Sequence, residues 1–362
     1  MLDPKIILKS SLEGREISPI EAIILMQNYN AFAQEIHETA NLINKRINRD
    51  TVSFSHSKHI SYTNICRYSC RYCSFFRKKK ETGSFTLNVD EIIKKIAETP
   101  DINEVCIYGG VNPALPFTYY TEMMERITKT FPGIHIKAFS PLEIFFIAKR
   151  SKQSITEVLT KLKEKGLNAM HGADADILND KLRKKICPDK IKTIDWIDII
   201  RTAHGLGIST TATMLFGHLE NEIHVAEHME ILRDIQKSTQ GFTEFTPMPF
   251  GEHQKKLTSL EGLLKRGKRE DYFGGEEQIV KIAAISRIFF GDTFKNIQAN
   301  WFRVGLDNAM KSLHSGANDL GETNFDKSAV KNLKSREQIS ISPSKLKQHI
   351  TKIGKIPRQR KH

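Results

Sequence analysis

The 362-residue sequence has no apolar run approaching the ~18 residues that a membrane-spanning helix needs. It has no internal repeat and no low-complexity tract. Its first residues, MLDPKIILKSSLEGREISP, have neither the basic start nor the long apolar stretch of a secretory signal. These absences predict a cytoplasmic protein without a membrane span. Cysteine is scarce: Cys66, Cys70, Cys73, Cys106 and Cys187 are the five in the chain. An odd number without a signal argues against a disulfide framework. Acids are outnumbered, 42 against 55 Lys and Arg, for a formal charge of +13. The excess is partly local, in Arg77-Lys78-Lys79-Lys80, in Lys265–Arg269 and in residues 331–362, where Glu337 is the single acid. Such runs suit polyanions, but no aromatic residues interleave with them as a single-strand binding platform requires. They read as solvated surface, and nucleic acid is not an expected partner.

The composition is that of a folded globular protein, with 39% hydrophobic and 27% charged residues. Residues 18–48 read as helical. Ser18-Pro19-Ile20-Glu21 offers an N-cap, a proline at the first position and a glutamate at the third. From about residue 59, short apolar runs alternate with longer amphipathic stretches. The expected strands are His59–Thr63, Glu104–Tyr108, His135–Phe139, Ala169–Gly172, Ser209–Leu215, Gly241–Pro247, Phe294–Ala299 and Ser315–Leu320. Helices are expected over Asp90–Glu98, Ser154–Lys165, Thr193–Leu206, Glu222–Lys237 and Glu276–Phe290. This alternation implies βαβ units around a parallel sheet. The fold class is therefore α/β, a (β/α)8 TIM-type barrel, with a partial barrel of six strands as the alternative because the last two strands are weakly patterned. The expected organisation is an N-terminal helical cap over residues 1–50, the barrel over 51–325 and a basic C-terminal extension over 326–362, packed on or outside the barrel.

The cysteines cluster in ISYTNICRYSCRYCSFF, as Cys66-x3-Cys70-x2-Cys73. The loop follows the first expected strand, which puts it on the face where such barrels keep their active sites. Three thiolates are one short of the complement for a cubane iron–sulfur cluster. Without a fourth protein ligand, one iron stays open to a cofactor or substrate. The competing interpretation is a zinc site, which needs a fourth ligand such as His56, His59, Cys106 or Cys187. Cys106 sits inside an expected strand and Cys187 precedes Pro188 at a helix end, so both read as structural. Zinc sites also tend to pair two separated C-x2-C units, which this chain lacks.

The triplet resembles the signature of the radical S-adenosylmethionine superfamily. The resemblance implies a [4Fe-4S] cluster held by Cys66, Cys70 and Cys73, with S-adenosyl-L-methionine on the open iron and a reducing electron donor such as ferredoxin or flavodoxin. It places Tyr72 near the adenine; simple loop packing is the plainer alternative. Glu104–Gly110, EVCIYGG, ends in Gly109-Gly110, which resembles the glycine motif that binds the cofactor amino group. In HIKAFSPLEI, Glu143 is a candidate for the ribose hydroxyls, or equally a helix cap. In HGADADILNDKLRKKICP, Asp176 sits at a strand-to-helix turn. Arg183 is a candidate partner for a cofactor or amino-acid carboxylate, or a helix-surface arginine. His218 and Glu244 are candidates for proton transfer. For His218 a satisfied core histidine is the competing interpretation, and a buried Glu244 needs a partner or ligand.

From about residue 55 to Arg360 the chain resembles one subfamily, which contains FO synthase subunit 2 and two radical enzymes of the futalosine route to menaquinone. The blocks TTATMLFGHLE, GFTEFTPMPF, SGANDLGET and GKIPRQR favour FO synthase subunit 2. That resemblance implies cleavage of the Cα–Cβ bond of L-tyrosine by a deoxyadenosyl radical. The 4-hydroxybenzyl group is then added to 5-amino-6-(D-ribitylamino)uracil, and FO synthase subunit 1 closes the deazaflavin. The alternatives are an aminofutalosine synthase or a dehypoxanthine futalosine cyclase, and, in a different class, a basic nucleic-acid-binding protein with a structural metal. The chain departs from the subfamily pattern at Asn112, His171 and Asp176.

Overall fold

The computed structural model describes residues 2–250, 275–326 and 340–361. The basic cluster Lys265–Arg269 lies outside the described residues. Eight strands are present: β1 (Thr51–Thr63), β2 (Glu104–Gly109), β3 (His135–Ala138), β4 (Ala169–Met170), β5 (Ser209–Phe216), β6 (Phe242–Pro249), β7 (Asp319–Asn324) and β8 (Ile356–Gln359). The helices are α1 (Pro4–Leu12), α2 (Pro19–Gln27), α3 (Tyr29–Asn48), α4 (Val89–Ala97), α5 (Phe117–Thr130), α6 (Pro141–Ser151) and α7 (Ile155–Glu164). They continue with α8 (Asp180–Ile186), α9 (Thr193–Gly205), α10 (Glu222–Thr239), α11 (Glu276–Phe290), α12 (Trp301–Val304), α13 (Leu306–Leu313) and α14 (Pro343–Lys352).

The sheet is parallel and runs β6-β5-β4-β3-β2-β1-β7, so the alternation of elements in the sequence becomes a partial TIM-type barrel of seven strands whose edge strands, β6 and β7, are not paired with each other. Phe294–Ala299, expected as a strand, makes only two isolated bridges, Phe245 with Ile297 and Gln298 with Asp319. It is cut short because Asn300 caps α12, its Oδ1 accepting from the Arg303 N–H at 3.3 Å. Those bridges join β6 to β7 near their N-terminal ends. The barrel is pinched there and open toward its C-terminal ends. The last strand begins four residues later than expected, at Asp319, because residues 312–317 form a turn in which the Ala317 N–H donates to Ser312 O.

Local signals act as the sequence predicts. Ser18 with Glu21 and Ser154 with Glu157 close capping boxes on α2 and α7. The expected long N-terminal helix is broken at Asn28, and α1 precedes it. α3 packs on α11, and α2 on α10 and α11. That cover explains why ten residues of the fifteen-residue α11 are buried. The C-terminal β8 pairs with the first residues of β1, in line with β2, and carries Arg360 to the barrel floor.

Arg287, on α11, is fully buried and ties the pinched end together. Its guanidinium donates to the carbonyls of Gly316 (2.8 Å), Phe294 (2.9 Å) and Lys295 (3.1 Å) and to Asn318 Oδ1 (2.8 Å). Removing it leaves several buried acceptors without donors. The Arg287→Met variant should lose about 3–5 kcal/mol of stability, measured by urea denaturation. A loss below about 1 kcal/mol would show that the barrel closes without this arginine.

Candidate active site

The cysteine loop leaves β1 and folds over the C-terminal ends of the strands. The Cys66 N–H donates to Arg77 O at 3.0 Å, the Arg67 N–H to Val111 O at 2.9 Å, and the Cys73 N–H to Cys70 O at 3.1 Å. All three cysteines are free thiols and half-buried. Val111 points its N–H at Cys66 Sγ, 3.4 Å away, as expected for a sulfur that is to carry negative charge. Burial pushes the Cys66 thiol up, and the Cys70 thiol up to about 12. Both are neutral unless a cation draws the proton off. Among the described residues only His59, Cys106 and Glu322 bring three ligand atoms within 4.8 Å of one another. Three half-buried free thiols in one loop and an amide donor to one of them fit an iron–sulfur cluster with one corner left open. The His59, Cys106 and Glu322 group is already served by a cation, since Lys137 Nζ lies 3.0 Å from Glu322 Oε1.

The glycine pair after β2 is needed for close approach. A Cβ on Gly109 would lie 2.6 Å from the Tyr62 ring, and one on Gly110 would lie 2.5 Å from Ile65 O and 3.0 Å from Cys66 Cβ. Gly110 is what lets the cysteine loop settle on the sheet. Glu143 is both things the sequence allowed. Ser140 and Glu143 form a capping box on α6, and the carboxylate lines the main cavity. It accepts from Tyr62 Oη at 2.6 Å and from the Ser140 N–H at 2.9 Å. Burial lifts its pKa to about 8 against those donors.

Tyr72, Asp176 and Lys190 form a buried network beside Cys70. Tyr72 Oη donates to Asp176 Oδ1, and Lys190 Nζ reaches Tyr72 Oη at 2.6 Å, Asp176 Oδ2 at 3.0 Å and Asp174 Oδ1 at 2.8 Å. Burial works to raise the Asp176 pKa, but Lys190 and Arg183 outweigh it and hold it at about 2. Asp174 and Asp176 both adopt left-handed backbone, at φ 64° and 47°, which aspartate tolerates better than most residues. Arg183 is buried rather than on the helix surface. It donates to the carbonyls of Asp174 (2.9 Å), Ala175 (2.6 Å) and Ile191 (2.9 Å), so it braces the loop and does not face the cavity. No sequence signal pointed to Lys190.

The main cavity, about 280 Å³, lies over the barrel floor. Loops after β2, β3 and β4 supply Gly109, Ser140, Glu143 and Asp174 on one side. Gln298, Asn300, Phe302, Arg303, Glu322 and Phe325 face them. Glu244 lines the floor and has the partners a buried acid needs, Arg360 at 3.5 Å and Lys137 at 4.0 Å. Burial raises its pKa while those cations pull it down. Burial also works against the Lys137 charge, but Cys106, Glu104 and Glu322 outweigh it and its pKa is raised. Glu104, Glu244, Asp319 and Glu322 outnumber Lys137 and Arg360, so the floor has an excess of acids. His218 is not with Glu244. It lines a second cavity with Met26 and Lys281, donates from Nε2 to Leu215 O at 3.0 Å and accepts the Leu219 N–H at Nδ1 at 2.7 Å. With both ring nitrogens held by backbone, it is the satisfied core histidine of the two alternatives. The pairing of His218 with Glu244 is thereby corrected: β5 runs past the cavity and turns at Gly217 before His218 is reached.

Residues 60–232 match the Radical SAM superfamily, and residues 239–362 match the CofH/MqnC C-terminal region. The 5-amino-6-(D-ribitylamino)uracil–L-tyrosine 4-hydroxyphenyl transferase of Methanococcus maripaludis is 39% identical, over 97% of this chain and 97% of its own. The enzyme of the same name from Methanocaldococcus jannaschii is 37% identical, over 96% of each chain. Among solved structures, methylornithine synthase (PylB) superposes with a TM-score of 0.70 at 17% identity over 97% of both chains, a likeness of fold. No helix among the described residues is long and apolar enough to cross a membrane.

Anaerobic reconstitution should load the protein with iron and sulfide in equal amounts and little zinc, and Cys70→Ala should lose the cluster absorbance. Zinc retained at one per chain by both proteins would refute the cluster assignment. A second expectation concerns pH. Burial lowers His59 to about 4, and His171 and His228 to about 3. Unfolded histidine titrates near 6.5, so the unfolded chain takes up these protons first as pH falls. The stability they contribute is intact above about 6.5 and is lost progressively toward the folded values. Together they should give a slope of about 4 kcal/mol per pH unit between pH 6 and 4. Urea denaturation that is flat over that range would show that these rings are not held neutral.

Proposed function

The chain belongs to the radical S-adenosylmethionine superfamily and, within it, to the 5-amino-6-(D-ribitylamino)uracil–L-tyrosine 4-hydroxyphenyl transferases, and from that we propose how its own residues divide the work of joining a 4-hydroxybenzyl group from tyrosine to the aminouracil. The observation that carries the proposal is the single cavity built from both regions. Glu143 and Asp174 come from residues 60–232, and Glu244, Gln298 and Glu322 from residues 239–362. A transferase that joins two substrates needs one enclosed space in which a cofactor side and an acceptor side face each other.

Cys66, Cys70 and Cys73 hold the iron–sulfur cluster. When bound, the cluster and S-adenosylmethionine supply the hydrogen-abstracting radical, with the electron coming from a donor such as ferredoxin or flavodoxin. The main chain at Gly109 and Gly110 makes room for the cofactor amino group. Glu143, fixed by Tyr62 and Ser140, accepts hydrogen bonds from the ribose hydroxyls. The Tyr72, Asp176 and Lys190 network keeps the wall beside Cys70 rigid, and Arg183 braces the turn that carries Asp176. Glu244 can take or return a proton at its carboxylate, because burial and two cations pull its pKa in opposite directions. The apolar side chains Phe302, Phe325 and Met248 keep water from the reacting fragments. FO synthase subunit 1 acts on the product.

The full-length relatives favour this activity over the futalosine alternatives. The test is an anaerobic assay of the reconstituted protein with S-adenosylmethionine, a reductant, tyrosine and 5-amino-6-(D-ribitylamino)uracil. Mass spectrometry should find the 4-hydroxybenzyl adduct of the uracil together with 5′-deoxyadenosine, both dependent on tyrosine. Turnover of a futalosine-type substrate with no tyrosine-dependent adduct would reverse the assignment.

A further inference from the structure

We propose that Thr246, Gln298, Asn300 and Glu322 form a subsite for the polyhydroxylated side chain of the acceptor, an inference that rests on the function proposed above. All four are buried and line the main cavity. They form one connected row. Thr246 Oγ1 donates to Gln298 Oε1 at 3.2 Å, Asn300 Nδ2 donates to Gln298 Oε1 at 3.1 Å and to Glu322 Oε2 at 3.2 Å, and Gln298 Nε2 donates to Asp319 Oδ1 at 2.9 Å. Asn300 is further fixed by its Oδ1, which caps α12. The row is preorganised before any ligand arrives.

Its chemistry selects a neutral ligand. Both N–H donors of Asn300 and one of the two on Gln298 are already engaged, so what the row offers the cavity is chiefly acceptor capacity on Thr246 and on the two oxygens of Glu322. Hydroxyl groups satisfy it by donating. A carboxylate would meet Glu322, Glu244 and Asp319 and be repelled. An ammonium would find the nearest acids already paired, Glu322 with Lys137 at 3.0 Å and Glu244 with Arg360 at 3.5 Å. A chain of hydroxyls carries no charge to be repelled and donates to the acceptors that remain. The two charged ends of an amino acid therefore belong elsewhere in the cavity, and Arg303, which has no acid partner among the described residues, offers a place at the opening for a carboxylate.

Position agrees with chemistry. In the strand order, the segment carrying Gln298 lies between β6 and β7, across the barrel from β3 and from the loops that carry Gly109, Glu143 and Asp174. A polyol held on the row points its heterocycle back toward the cofactor side, where the tyrosine fragment is released.

The test uses Thr246→Val, nearly isosteric, and Gln298→Met. Each should raise the KM for 5-amino-6-(D-ribitylamino)uracil by about tenfold, while the KM for tyrosine moves less than twofold. Calorimetric titration of the aminouracil into the anaerobic proteins should show the same weakening. A 6-alkylamino analogue without hydroxyls should bind the unaltered protein at least tenfold more weakly, and the variants should discriminate less between it and the ribityl compound. A rise in the tyrosine KM instead would assign the row to the amino acid and overturn the proposal, as would equal binding of analogue and ribityl compound by the unaltered protein. If the unaltered protein neither binds nor converts the aminouracil, the parent function fails rather than the subsite.

Discussion

The barrel floor is organised by charge balance around Lys137. Its ammonium sits among Glu322 at 3.0 Å, Glu104 at 3.6 Å and Glu244 at 4.0 Å, all buried. A second cation, Arg360, arrives from the other end of the chain and pairs with Glu244 and Asp319. A purely apolar filling would make a sturdier barrel, since burying ions costs desolvation that pairing only partly returns. The polar floor is what a reaction chamber needs, because it gives fixed dipoles where bulk water is excluded. Much else follows. β8 must pair with β1 so that Arg360 can reach the floor. His59 and His171 stay neutral beside the ammonium. The wall above Glu322 is left suited to hydroxyl groups.

At the opposite end, the cysteine loop is held from two directions. Backbone bonds to Arg77 and Val111 fix its course, and Gly110 allows it to lie against the sheet. The Lys190 network then buttresses Cys70 and Tyr72 from the side of α8. The left-handed aspartates in that network are local strain that only a well-determined surrounding can sustain.

The order of elements, several helix caps and the cysteine loop are legible in the sequence. Each rests on neighbours in sequence: a Ser-x-x-Glu box, a run of alternating apolar residues, three thiols within eight positions. Boundaries slipped where a cap intervened, as at Asn300, or a turn, as at residues 312–317. Glu143 was half legible, since its capping role is local while its bond to Tyr62 spans 81 residues. For His218 both alternatives stay open in the sequence, which shows that a strand ends near it and not which way the turn at Gly217 carries the ring.

The sequence by itself therefore determined what depends on short spacing: three cysteines spaced for an open iron–sulfur cluster after the first strand, a glycine pair at the end of the second, and a parallel α/β sheet around them. Only the tertiary structure decided which distant charges share the floor. Lys190 meets Tyr72 across 118 residues, and Lys137 meets Glu322 across 185. Periodicity and capping report on the path of the backbone over a few turns. Coulomb forces and packing act across space, and which side chains they join is set only when the sheet has curled and brought its strands around one cavity.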